Sequence, residues 1–219
     1  MPTAVSRWWF ALTAVAVAVG VALSLAVAIG NEAGFFDDPA ERALNVFAFF
    51  TIESNLLVGV TSALLAADPA RGSTPFRVAR LTGVTAIAIT FVVFHTVLRG
   101  LEELHGLAVV SDAFVHTVVP VLAILGWVGF GPRGHASLRV AAWTTAFPVA
   151  WCAFTLVRGE VVGFYPYPFI DVAANGYALV TVSCLLVAAL YLAVAAGLTA
   201  LDGWLVRRRR DRATEPFGR

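Results

Sequence analysis

The sequence predicts an all-α polytopic membrane protein with six transmembrane helices in one bundle. Three observations predict it. Of 219 residues 59% are apolar and 13% charged, and the mean hydropathy of +0.83 lies outside the range of soluble domains. Six charge-poor runs are each long enough to cross ~30 Å of hydrocarbon. The arginines between those runs also alternate in density from one loop to the next.

The first run, Trp8 to Ile29, is 22 residues long, is preceded only by Arg7 and lacks a cleavage site, so it reads as a helix rather than a signal peptide. Its small residues form two stripes, Ala14, Ala18, Ala22, Ala26 and Ala16, Gly20, Ser24, Ala28, which allow close backbone approach. The second run is Ala43 to Ala67 and the third Leu81 to Leu98. The fourth, Ala113 to Phe130, and the fifth, Val140 to Val157, contain Pro120 and Pro148, each of which removes a helix hydrogen bond and permits a kink. The sixth is Val172 to Leu201. Residues 1–206 thus form one helical domain, and the basic tail 207–219 is expected to lack structure.

All fifteen basic residues are Arg. Twelve fall on one side of the six-helix pattern, and only Arg42, Arg99 and Arg158 on the other, where most of the acidic residues gather. The bias places both termini in the cytoplasm and the protein in the cell membrane as a multi-pass chain. Directly after a span, the Arg207 to Arg210 run is a positive-inside anchor, and no nucleic-acid partner is implied. Cys152 and Cys184 sit in apolar runs without metal-site spacing and read as small buried residues; no metal site is expected.

Polar groups inside hydrocarbon are costly, so several at one depth point to a site. Counting about 1.5 Å per residue from Ala43, Thr51, Glu53 and Asn55 lie roughly 12 to 18 Å inward from the Arg-poor face. His95 and Arg99 end the third run, and His116 opens the fourth. Arg158, Tyr165, Tyr167 and Asp171 follow the fifth. The other half of the membrane offers little. Thr51 and Asn55 share a helix face while Glu53 projects elsewhere, and an ionised Glu53 needs a partner or a wet cavity. Tyr165 and Tyr167 read equally as aromatic-belt anchors.

Three segments, FFTIESNLLV (Phe49 to Val58), DAFVHTVVPVLAIL (Asp112 to Leu125) and FTLVRGEVVGFYPYPFIDV (Phe154 to Val172), resemble the hallmark segments of the androgen-induced and ADTRP-like membrane proteins and their bacterial relatives. That resemblance implies hydrolysis of fatty acid esters of hydroxy fatty acids, with Thr51 as nucleophile, His116 as its base and no cofactor. It also implies a fatty acyl ester as substrate, reached from the bilayer. A threonine hydroxyl needs a base to remove its proton, and a histidine suits that step. Asn55, His95 or Arg99 are candidate donors to the oxyanion, and Glu53, Arg158, Tyr165, Tyr167 and Asp171 candidate substrate contacts. Two other readings remain open from the residues: His95 and His116 as axial ligands of one b-type haem, and a transport or signalling pocket built on Glu53 and Arg99.

Overall fold

The computed structural model describes residues 4–214, with side chains to 211. Among them every regular element is helical, and six helical stretches are long and apolar enough to cross a membrane. The chain is a polytopic all-α bundle. Helix α1 spans Ala4–Gly30, α2 Pro39–Val46, α3 Phe50–Ala67 and α4 Thr74–Val93. After α5 (Leu107–Ala113) come α6 (Val119–Phe130), α7 (Leu138–Thr144), α8 (Ala146–Val162) and α9 (Val172–Thr214).

Helix α4 is the centre of the bundle. It packs against α3, α6, α7 and α9, and 56% of its most apolar stretch is buried, against 17% for the fifth and sixth spans. Helices α8 and α9 are peripheral. On α1 the two small-residue stripes behave differently from one another. Ala18, Ala22 and Ala26 point outward, whereas Gly20 lies against Phe114 and Val115 and the Ser24 hydroxyl meets that of Ser111 at 2.9 Å. The second stripe therefore carries the helix contact expected of both.

Several arginines close helix ends. Arg7 donates to the Ala66 carbonyl at the end of α3, Arg42 to Ile29 at the end of α1, and Arg133 to Trp127 near the end of α6. The last carbonyls of a helix lack internal partners and carry the negative end of its dipole, which explains these docked cations.

Proline accounts for two interruptions. Pro148 has no N–H to give the carbonyl of Thr144, and the helix breaks there into α7 and α8. The buried Tyr191 hydroxyl of α9 donates to that carbonyl instead, at 3.1 Å. Tyr191→Phe is therefore expected to lower stability by about 1–3 kcal/mol, since it orphans a buried carbonyl while keeping the ring. Detergent unfolding of the purified variant checks this; unchanged stability contradicts it. Pro120 likewise follows a widened π-helical turn, Phe114–Val118, in which the Val119 N–H reaches back to Phe114. A second π turn, Phe94–Leu98, ends α4. Such turns commonly mark functional positions, and here each holds a histidine.

Three expectations are corrected. The second membrane helix does not begin at Ala43: α2 ends at Val46 and α3 starts afresh at Phe50, leaving Thr51 in a first helical turn. The fourth helix begins at Leu107, so the preceding loop is shorter than expected. The chain after Arg207 is helical to Thr214, because α9 simply continues past Leu201; the Arg212 side chain and Arg219 lie outside the described residues.

Candidate functional site

Six threonines in this bundle do the bland thing. Thr13, Thr61, Thr82, Thr96, Thr181 and Thr199 each donate to the carbonyl four residues back. Thr51 has no such carbonyl, because four residues back lies Phe47, before α3 starts. Its buried Oγ1 sits 3.3 Å from His116 Nε2 and 3.2 Å from the Tyr167 hydroxyl. His116 Nδ1 lies 2.8 Å from Asp112 Oδ1. Hydroxyl, imidazole and carboxylate therefore form one unbroken line. With the ring proton on Nδ1, His116 donates to Asp112 and Nε2 is left to accept from Thr51.

Each member is held from behind. Asp112 and His116 are four residues apart and share a helix face at the α5 junction. The Phe94 ring stacks on the imidazole, centroids 3.9 Å apart and planes within 6°. Asn55, completely buried, donates through Nδ2 to the Thr51 carbonyl at 2.7 Å and to the Val115 carbonyl at 3.1 Å. It ties α3 to the turn that carries His116 and so helps fix the Thr51 to His116 distance. Ser54 also donates to the Thr51 carbonyl, and its oxygen lies 3.0 Å from that of Thr90.

Tyr167 comes from the segment between α8 and α9, which passes over the start of α3. Its hydroxyl accepts the Thr51 N–H at 3.1 Å, one of the donors left free by a helix N-terminus. Burial pushes the phenol above its ordinary pKa, against the opposing pull of the Thr51 hydrogen bonds, so the group stays neutral and keeps a proton to donate. Phe49, Trp151 and Phe169 surround the ring. Tyr165 packs against Gly159, where a Cβ would collide with its ring, and thereby anchors the segment to α8.

The other sequence candidates lie outside this line. His95 Nε2 is 3.2 Å from the Thr117 hydroxyl, and the Phe94 ring touches both histidines. With both Nε2 atoms engaged by threonines, this arrangement does not fit axial ligation of a haem. Arg99 is exposed beyond the end of the π turn and makes no side-chain hydrogen bond or ion pair among the described residues. Glu53 is half-exposed in the first turn of α3, where the positive end of the helix dipole favours a carboxylate, and has no ion-pair partner among the described residues. No ion pair joins Glu53 to Arg99 among the described residues. Arg158 donates to Asn45 Oδ1 at 2.9 Å and lies over the Phe36 and Phe164 rings, holding α2 to α8. Asp171 caps the start of α9 by accepting the Ala174 N–H.

Sequence reasoning missed Asp112, whose spacing to His116 was the available signal. Compared with models of protein families, with curated proteins and with solved structures, the chain has no match in any of the three.

Proposed function

We propose that this membrane protein is an intramembrane hydrolase of fatty acyl esters with Thr51 as nucleophile. The observation that carries the reading is the line Thr51, His116, Asp112, with Tyr167 seated beside the same hydroxyl. The order reproduces the roles of a nucleophile, base and orienting acid on an unrelated scaffold. His116 takes the Thr51 proton as Oγ1 attacks the ester carbonyl carbon, and returns it to the departing alcohol. Water then attacks the acyl-threonine with His116 again as base, releasing the fatty acid and restoring the hydroxyl. Asp112 holds the ring in the tautomer this needs.

Tyr167 is the neutral donor nearest the nucleophile, and we assign it the oxyanion rather than Asn55, His95 or Arg99. Asn55 spends its N–H groups on two backbone carbonyls. Apolar and aromatic walls, Phe49, Phe50, Trp151 and Phe169, surround the phenol and the first turn of α3 and suit an acyl chain. The nucleophile is buried in this conformation, so an ester reaches it when the segment bearing Tyr167 shifts; positive-φ glycines flank that segment, Gly163 at the end of α8 and Gly176 at a kink inside α9.

Hydrolysis of a panel of short- and long-chain fatty acyl esters by the purified protein tests the reading. Tyr167→Phe is expected to keep the packed ring and lower kcat by about 100- to 1,000-fold with little change in KM, the usual loss for one oxyanion donor. A Tyr167→Phe enzyme with wild-type kcat removes that assignment. No turnover of any ester by the wild type removes the hydrolase.

In the same reading the Arg-rich end is cytoplasmic and the Thr51 end faces the opposite compartment. An alkaline-phosphatase fusion within the 100–106 loop is expected to be active, and one after Arg219 inactive. The reverse pattern inverts the orientation.

A further inference from the structure

Helices α8 and α9 lie at the edge of the bundle and are joined by the 163–171 segment that carries Tyr167. The chain's two cysteines meet between them. Cys152 Sγ on α8 and Cys184 Sγ on α9 are 3.7 Å apart, both side chains are half-buried, and neither forms a disulfide. Cys152 lies ten residues before the end of α8 and Cys184 twelve after the start of α9, about 15 and 18 Å of helix. The pair therefore sits near the midplane of a ~30 Å hydrocarbon layer. Phe154 and Leu185 beside them are 53% and 65% exposed, so this face of the bundle meets lipid.

Packing alone asks for a small apolar residue at each position and does not ask that the two thiols touch. Bonded sulfurs are about 2.05 Å apart, so the pair is about 1.7 Å short, a gap that χ1 rotation and a small helix shift close. Cys184 packs against the cluster of Tyr167, Ile170 and Val180. Trp151, next to Cys152 in the chain, meets the Tyr167 ring with centroids 5.8 Å apart. A bond between the sulfurs thus joins the two helices from which the Tyr167 segment hangs.

We infer that Cys152 and Cys184 are a redox-active dithiol, oxidised to a disulfide by a quinone dissolved in the bilayer, and that the bond restrains the segment bearing Tyr167. Both S–H bonds break and one S–S bond forms. The two protons and two electrons pass to the quinone, which leaves as hydroquinone. Depth selects the oxidant: a quinone reaches the midplane through the lipid, whereas a charged aqueous oxidant such as glutathione disulfide must shed its hydration to do so. The new bond closes a loop that runs from Cys152 through the whole 163–171 segment to Cys184, and α8 and α9 lose the freedom to part. The effect on ester access rests on the hydrolase reading, in which that segment must shift; the dithiol chemistry does not.

The test uses the full chain in phosphatidylcholine nanodiscs, reduced with tributylphosphine, freed of it and kept without oxygen. Decylubiquinone is expected to convert both thiols to a Cys152–Cys184 disulfide, seen by mass spectrometry, with one hydroquinone formed per chain. Glutathione disulfide is expected to leave the thiols reduced. Cys152→Ala and Cys184→Ala, small changes at half-buried positions, are expected to yield no hydroquinone. Amide hydrogen exchange in 163–171 should slow on the order of tenfold on oxidation of the wild type, and not in Cys152→Ala. Ester turnover should fall in the oxidised sample and return with tributylphosphine. Thiols that stay reduced with the quinone, a thiol–quinone adduct in place of the disulfide, or equal oxidation by glutathione disulfide overturn the proposal. A disulfide that leaves exchange in 163–171 unchanged overturns the restraint on Tyr167. A reduced wild type that turns over no ester removes the hydrolase reading instead, and hydroquinone yield and exchange rates then decide the dithiol by themselves.

Discussion

Thr51→Ala is expected to reduce fatty acyl ester hydrolysis to background in protein that remains folded. The substitution deletes the only atom able to form the acyl-enzyme, and the loss should approach the ~10⁶-fold seen when a triad nucleophile is removed. Thr51→Ser keeps that atom and is expected to retain measurable turnover, reduced because the β-methyl that stiffens χ1 is gone. His116→Ala should be nearly as damaging as Thr51→Ala, and the double variant no worse than either, since the two groups act as one unit. Kinetics on detergent-purified variants, with folding checked by circular dichroism, decide it. Losses that simply multiply would separate the two residues into independent roles.

Asp112→Asn carries the second large effect. The imidazole keeps its place under Phe94, but an amide in place of the carboxylate can donate to Nδ1 and so favours the wrong tautomer, with the proton on the Nε2 that must accept from Thr51. A loss of about 100- to 10,000-fold in kcat is expected, with KM little changed. Asp112→Glu, which restores charge at the cost of reach, should recover part of it. A structural role for Asp112 would instead lower stability and leave kcat per folded molecule intact, so activity and unfolding measured on one sample separate the two.

The six-helix architecture was legible because uninterrupted apolar runs and short Arg-biased loops leave few alternatives. The proximity of Thr51 and His116 followed from shared depth and from the segments that carry them. The reason for that proximity was not legible. Phe47, Ala48 and Phe49 contain neither Pro nor Gly, so nothing local announces that the helix restarts at Phe50 and frees the Thr51 hydroxyl from its usual backbone partner. Asp112 counted only as one more acid at the Arg-poor end, although its spacing to His116 on a helix already placed it within reach. Tyr167 looked like a belt anchor because a tyrosine in a loop gives no sign of the helix terminus it meets. Glu53, the costliest residue on paper, sits partly exposed in a first helical turn, where the helix dipole favours a carboxylate. In the Arg-rich half, Arg80 and Asp202 lie just outside the third and sixth apolar runs, and their burial depends on how α4 and α9 pack.

The most direct test of Thr51 as nucleophile is to treat the purified protein with a fluorophosphonate bearing a long alkyl chain and to locate the adduct by mass spectrometry. The hydrolase reading expects a single phosphonylated residue, Thr51, with labelling lost in Thr51→Ala and strongly slowed in His116→Ala and Asp112→Asn. An adduct on another residue, or labelling of Thr51→Ala at the wild-type rate, would contradict it.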